Sequence, residues 1–372
     1  MTKNDLAGGG EASRSFLFTG FPGFIGARLL PRILELKADT RAVCLVQEKF
    51  MDAAREAVEA IGSSHPHTRG RIELITGDIT AQGLGIPGKA ARELRRSLAE
   101  AYHLAAVYDL AVRRDVGRRI NVEGTKNVLE FLDKAARFER LHYVSTAYVS
   151  GNTRGKFRET DLDVGQGFKN HYEETKFQAE VEVARSGVPS TIYRPGIVVG
   201  DSRTGETGKF DGPYFVLRVM EKLPSPGVFL RIGLGFGTVN IVPIDFVVEA
   251  LASLSASPIS AGKTYHLCDP EPHAPGELAE MFAKAIDKKF VQVPVPLKVA
   301  RAFFSPKPVQ RFFGMPGEAL DYFDDPVRHD TAQASEDLGA LGIECPRLAD
   351  YLPRLVEFYQ AHRGKVRREA MV

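Results

Sequence analysis

The sequence predicts an α/β fold, with a doubly wound parallel sheet covered by helices on both faces and a smaller C-terminal lobe. Three observations predict it. Short β-rich runs alternate with longer helical segments from Ser15 to about residue 195. Several of those runs are apolar throughout, as strands buried on both faces are. A glycine-rich turn joins the first run to the first helix.

The elements follow in order. Ser15–Thr19 reads as a strand, and Phe24–Leu36 has the apolar spacing of a helix. Pro31 lies inside that helix and is expected to kink it. Further strands are predicted at 42–46, Ile72–Thr76, 101–104, 141–145 and 191–193, with a second helix at 51–61. Gly and Pro become denser between 196 and 240, and the regular crossover rhythm is lost. Helices return at 246–255 and 276–286, with a strand-like Thr264–Leu267 between them and an amphipathic helix at 347–362.

Composition excludes several classes of function. The chain has 372 residues, 44% of them hydrophobic, ample for a large core. Lys and Arg number 49 against 47 Asp and Glu, and that balance argues against a nucleic-acid partner. Cys44, Cys268 and Cys345 are far apart and show no metal-ligand or redox spacing. Residues 1–13 are polar and lack the apolar core of a signal peptide. No apolar stretch is long enough to span a bilayer. The expectation is a soluble cytoplasmic protein, peripheral to a membrane at most. Arg363, Lys365, Arg367 and Arg368 read as a solvated basic tail.

Thr19-Gly20-Phe21-Pro22-Gly23-Phe24-Ile25-Gly26 follows a strand and opens a helix. Gly20 permits a tight turn, Gly23 lets backbone approach a pyrophosphate, and Gly26 lets helix and strand pack closely. The helix start presents unpaired N–H groups and a positive dipole end to phosphates. Thr19, Gly20, Phe21, Gly23, Phe24, Ile25 and Gly26 are therefore the expected cofactor contacts of this turn.

Tyr172-Glu173-Glu174-Thr175-Lys176 lies in a segment that reads as helix as far as Arg185. Residues four apart share a face, so Tyr172 and Lys176 are neighbours. A phenol titrates near pH ~10, too high for neutral-pH proton transfer. A lysine ammonium one turn away favours the phenolate and is expected to lower that value. The pair comes after Tyr143-Val144-Ser145-Thr146-Ala147 at the end of the fifth strand, an order that chance seldom gives.

Together these motifs resemble the extended short-chain dehydrogenases, whose phosphate turn is TGxxGxxG. The resemblance implies a Rossmann-type fold, an NAD(P)H-dependent oxidoreductase, and roles for further residues. Asp78 and Ile79, after the third strand, match the adenine contacts, although an aspartate there also reads as a turn or N-cap residue. Leu104, Ala105 and Ala106 match the small residues on which the cofactor lies. Arg194, Pro195 and Gly196 match the segment beside the nicotinamide. Thr146 matches the hydroxyl that holds the substrate carbonyl, with Ser145 as runner-up. Asn121 matches the helix asparagine that props the lysine through water, or is an ordinary polar helix residue. Gln47 stands where NAD enzymes of this type usually carry an acid, which favours NADPH and leaves NADH open. Arg28 and Lys49 read either as 2′-phosphate ligands or as surface cations.

The resemblance sharpens in 103–109, 193–200, 211–215 and 239–248, which are similar to bacterial fatty acyl-CoA reductases and, more distantly, to carboxylic acid reductase termini. It covers residues 15 to about 362. It implies reduction of an acyl thioester, CoA- or carrier-bound, to the aldehyde: Thr146 and Tyr172 stabilise the oxyanion, and a hemithioacetal collapses to aldehyde and thiol. A homodimer through helices beside the active site is a further implication. Those bacterial enzymes often carry a second reductase domain, and only one is expected here. The expected division is a disordered segment at 1–13, a dinucleotide-binding domain mainly at 14–200, a substrate lobe mainly at 201–362 with chain returning to the sheet, and the tail at 363–372.

Between Leu297 and Met315, Phe303, Phe304, Phe312 and Phe313 alternate with Lys298, Arg301, Lys307 and Arg311. This stretch reads as a core-packing helix pair with snorkelling cations, or as a lid over a hydrophobic substrate or a membrane-surface contact. The rival function is a ketone or alcohol oxidoreductase of a hydrophobic metabolite, sterol or isoprenoid. Sugar-nucleotide chemistry ranks third, and a cofactor-binding sensor last, because Tyr172 and Lys176 are both present.

Overall fold

The computed structural model describes residues 14–363 apart from 233–236, 314 and 316, so the predicted segment 1–13 and the tail beyond Arg363 lie outside the described residues. The first half builds the central sheet from β1 (Ser15–Thr19), β2 (Arg41–Val46), β3 (Ile72–Thr76), β4 (Leu98–His103) and β5 (Arg140–Val144), with a short β6 (Gly155–Phe157) after it. Helices α1 (Phe24–Leu36), α2 (Met51–Ser64), α3 (Gly88–Ser97), α4 (Arg114–Gly117) and α5 (Gly124–Asp133) connect them, and a π-helical turn at Arg118–Glu123 joins the last two. Helix α6 (His171–Arg185) precedes β7 (Ser190–Pro195) and β8 (Ile197–Val199).

The second half contributes α7 (Tyr214–Lys222), β9 (Gly227–Ile232), β10 (Ile241–Pro243), α8 (Ile244–Ala256), β11 (Thr264–Leu267) and α9 (Pro275–Ala285). Beyond it come β12 (Phe290–Val295), α10 (Leu297–Phe304), α11 (Lys307–Phe313), β13 (Val327–His329), α12 (Ala332–Ala340) and α13 (Leu348–His362).

Seven parallel strands lie in the order β11-β7-β5-β4-β1-β2-β3. Such a sheet needs cover on both faces, and two separate cores supply it. Phe16 and Phe18 of β1 pack with Leu29 and Ile33 of α1 and Val247 and Leu251 of α8. Leu17 packs on the opposite face with Val128 and Phe131 of α5 and Ala179 and Val183 of α6. The alternation along one strand thus feeds two helical layers.

A third core joins α7, α9 and α13 through Leu217, Phe282 and Leu352. The chain from the second half returns to the sheet as β11 against β7, as α8 against α1 and as α12 against β11 and α8.

The helix α1 runs through Pro31 to Leu36 with the predicted bounds, and Pro31 packs into the core. One local expectation differs from the structure. Strand β4 begins at Leu98 rather than 101, because the charged Glu100 inside it is buried against Lys37 and His142. Among the described residues no helix is long and apolar enough to cross a membrane.

Candidate active site

The strand order reverses between β1 and β4, and ligands in such sheets bind beyond the carboxyl ends of the strands at that point. A cavity of about 810 Å³ opens there, lined by Gly20, Gly23, Phe24, Ile25, Gly26 and, from the loop after β4, Leu104, Ala105 and Ala106. Gly20 has φ +90°, and a Cβ on it would meet the Ala105 nitrogen at 2.9 Å. A Cβ on Gly26 would lie 2.6 Å from the Gly20 carbonyl oxygen. Side chains at either position would push the turn off the strand and fill the cradle. Helix α1 starts at Gly23 without a side-chain cap, so its first-turn amides remain for a ligand's phosphates. These residues fit a nicotinamide dinucleotide.

At the far side of the sheet Gln47 Nε2 donates to Asp78 Oδ2 at 3.0 Å, and Asp78 Oδ1 accepts from the Thr80 amide at 2.8 Å. The ends of β2 and β3 are thereby locked together. Lys49 lies across the Phe50 ring, 4.8 Å from its centroid. Arg28 is held by Glu206 at 2.6 Å.

Seven predicted contacts do not line the cavity: Gln47, Lys49 and Asp78 at that far side, and four whose side chains pack elsewhere. The Thr19 hydroxyl accepts from the Ala105 amide at 3.2 Å and meets His103 Nδ1 at 2.7 Å, so it buttresses the turn from behind. Phe21 is buried in the core under α1. Ile79 packs against Gly124, where a Cβ would lie 2.8 Å from it. Arg194 is buried in an ion pair with Glu180 at 2.5 Å and donates to the Asp161 carbonyl at 2.8 Å. Its neighbours Pro195 and Gly196 line the cavity. A buried guanidinium must be paired where it sits, and Glu180 of α6 lies behind the sheet end.

Tyr172, Lys176 and Thr146 all line the cavity. Ser145 does not, because its hydroxyl donates to Glu180. The Asn170 side chain caps α6, accepting from the Glu173 amide at 3.0 Å, and its Nδ2 donates to the Tyr322 hydroxyl at 2.8 Å. Burial pushes the Tyr172 phenol above its ordinary value, opposed by a hydrogen bond with the Thr146 side chain. This corrects the expectation of a phenol lowered by Lys176. The lysine instead donates to the Tyr143 hydroxyl at 3.1 Å and to the Val144 carbonyl at 2.8 Å. Burial lowers its ammonium to about 8, opposed by Glu180.

Asn121 does not touch Lys176. It sits in the π-helical turn, accepts from the Val107 amide at 2.9 Å and donates to Thr175 Oγ1 at 3.0 Å. It therefore ties α6, one residue before Lys176, to the loop after β4. The His103 ring continues this support: Nε2 lies 3.0 Å from Thr125 Oγ1, which donates to the Asn121 carbonyl at 2.6 Å. That pattern assigns the ring proton to Nε2. Burial, then Lys176, lowers His103 to about 3, so it is neutral.

Other residues line the cavity besides the predicted cofactor and catalytic contacts. Tyr108 stands edge-on to Tyr172 with ring centroids 5.3 Å apart. Phe215, Phe282, Phe304 and Phe313 from the second half extend the cavity as an apolar chamber. The spacing of the aromatics in 297–313 was visible, but their meeting with α7 and α9 was not.

The family model of the male sterility protein, NAD-binding type, matches residues 18–251, more than half of the chain. Among curated proteins, the chain is 28% identical over 271 residues to the nonribosomal peptide synthetase asaC of Aspergillus flavus, covering 68% of this chain and 26% of that protein. It is 26% identical over 275 residues to the fatty acyl-CoA reductase wat of Drosophila melanogaster, covering 64% of this chain and 53% of that one. The chain thus spans about a quarter of the peptide synthetase and half of the fly reductase. Among solved structures, the terminal R domain of the myxalamid PKS-NRPS pathway superposes with a TM-score of 0.79 at 27% identity, covering 96% of this chain and 93% of that one. The turn, the sheet and these matches agree that the chain belongs to the male sterility NAD-binding family of extended short-chain dehydrogenases and is an NAD(P)H-dependent oxidoreductase.

Proposed function

We propose that this chain reduces an acyl thioester with a hydrophobic acyl group, CoA- or carrier-bound, to the aldehyde, using NADPH. The observation that carries the reading is the continuity of the cavity from Thr146 and Tyr172 into the apolar chamber of Phe215, Phe282, Phe304 and Phe313. An acyl chain gains by leaving water there, at about 0.8 kcal/mol per buried methylene. The likeness to an R domain and to a fatty acyl-CoA reductase supports the thioester. NADPH is supported by Gln47, a neutral residue at the end of β2 where a carboxylate would repel a 2′-phosphate.

A nicotinamide held over the Gly20–Gly26 turn beside Pro195 and Gly196 would supply the hydride. Thr146 and Tyr172 point hydroxyls to one side of the cavity and hold the thioester oxygen as negative charge develops on it. Because burial keeps the proton on Tyr172, the phenol serves as the acid that protonates the oxyanion. The hemithioacetal then breaks its C–S bond and releases aldehyde and thiol. Lys176 holds a positive charge beside the end of β5, and Asn121 and Thr175 keep its helix in register.

The test is oxidation of NADPH and of NADH by the purified protein with a long-chain acyl-CoA, with liberated thiol followed in parallel. Matched cofactor loss and thiol release with NADPH is the expected result. Turnover of hydrophobic ketones but of no acyl-CoA would move the chain to a carbonyl reductase.

A further inference from the structure

Strands β9 and β12 form a parallel two-stranded sheet of their own, with Val228 opposite Val291 and Leu230 opposite Val293. Their alternate side chains turn inward, and Phe229 meets Phe290 at 6.1 Å between ring centroids. The other face is open: Val291 is 68% exposed and Val228 53%. Parallel strands are ordinarily covered on both faces, and an apolar patch left in water marks an interaction site.

The patch continues onto the helix pair. Val228 and Leu230 line the cavity mouth together with Val299 and Phe303 of α10, and all four are exposed. Phe303 meets Phe313 at 6.3 Å, and Phe313 meets Phe312 at 5.0 Å. Phe312 is 61% exposed, with the Lys222 ammonium 4.3 Å above its ring.

The two chain segments that build this face are rich in cations, of which Arg301 is paired with Asp321 and Lys288 is held by the carbonyls that end α7. From Lys288 to Gly317 the chain carries six cations and neither Asp nor Glu. From Lys222 to Ile244 it carries two cations and again no acid. The molecule as a whole is nearly balanced, at +2, so the asymmetry is local. Lys298, Lys307 and Arg311 are exposed beside the aromatic ridge.

We propose that this face seats the protein on an anionic lipid bilayer, with Val228, Val291, Phe303 and Phe312 entering the interface and the cations meeting headgroups. Aliphatic and aromatic side chains flanked by Lys and Arg are the composition that binds such surfaces. A second copy of the chain would bring the same cationic face, and like charges would oppose it. The cavity mouth lies within the patch, so a hydrophobic ligand passes between bilayer and cavity without crossing water. This face binds lipid independently of the cofactor and substrate proposed for the cavity.

Cosedimentation of the full chain with phosphatidylcholine vesicles, with and without phosphatidylglycerol, tests it. Binding is expected to the anionic vesicles, about tenfold tighter than to the neutral ones and weakened by salt. Phe312→Asp with Val291→Asp, and separately Lys298→Glu with Lys307→Glu, are expected to lower it by about tenfold while thermal melting stays unchanged. None of these four residues lines the cavity. Absence of binding to either vesicle overturns the proposal, as does binding that both variants retain. Self-association of the wild-type chain that the Phe312→Asp, Val291→Asp variant abolishes, without vesicle binding, assigns the face to a second copy instead.

Discussion

The Lys176 ammonium sits 3.1 Å from the Tyr143 hydroxyl and 4.6 Å from the centroid of its ring. It also donates to the Val144 carbonyl at 2.8 Å, so the charge is anchored on β5 rather than on Tyr172 one helical turn away. Burial at this position draws the lysine down to about 8.

A pH limb follows from that value. The unfolded lysine titrates near 10.5 and the folded one near 8, so between them the folded chain binds fewer protons. Lys176 therefore costs stability below pH 8, and that cost is relieved as pH rises above it. Activity runs the other way, because the cation is present only below that value. We expect kcat/KM to fall above pH about 8. The limb should vanish from the residual activity of Lys176→Arg, whose guanidinium stays charged. A limb unchanged in that variant would assign it to another group.

Tyr172→Phe removes the acid and leaves the ring. Turnover is expected to fall by about 10² to 10⁴. Dinucleotide affinity, measured by quenching of protein fluorescence or by calorimetry, should change by less than about threefold. Thr146→Ala should cost less, since Tyr172 retains its proton through burial.

Gly26→Ala tests the phosphate cradle. The added methyl would meet the Gly20 carbonyl at 2.6 Å, and backbone on both sides leaves little room to relax. Dinucleotide binding should weaken by more than about tenfold, with destabilisation of about 1–3 kcal/mol. Binding of wild-type strength would show that the turn does not contact the cofactor.

Glu180→Ala should be the most destabilising of these substitutions. It leaves Arg194 buried without its carboxylate partner and Ser145 without its acceptor. The expected loss is about 3–5 kcal/mol in denaturant unfolding. A loss below about 1 kcal/mol would mean that water reaches the guanidinium.

Ala279→Phe fills part of the apolar chamber beside Phe282. The acyl chain preference should shorten. Each methylene kept out of the cavity costs about 0.8 kcal/mol, or about fourfold in kcat/KM across an acyl-CoA series. An unshifted series would place the acyl chain elsewhere.

Much of this molecule was legible in its sequence because the signals are local. Strands β1 and β3 and helix α1 follow from apolar runs and periodicity. The turn from Gly20 to Gly26 follows from glycines at a strand-to-helix junction. Tyr172 and Lys176 share a face because a helix repeats about every 3.6 residues. Local signals also misled: Glu100 hid the start of β4, since a buried ion pair cannot be read from one of its members.

What only the tertiary structure decided is which way side chains turn once elements pack. Thr146 and Ser145 are adjacent on one strand end, and alternation sends one to the cavity and the other to Glu180. Arg194 belongs to a buried ion pair because α6 brings Glu180 behind β7, some 14 residues away in sequence. The apolar chamber and the exposed face of β9 and β12 depend on contacts between segments 60 or more residues apart. Periodicity reports the face an element presents, whereas only packing reports what lies opposite it.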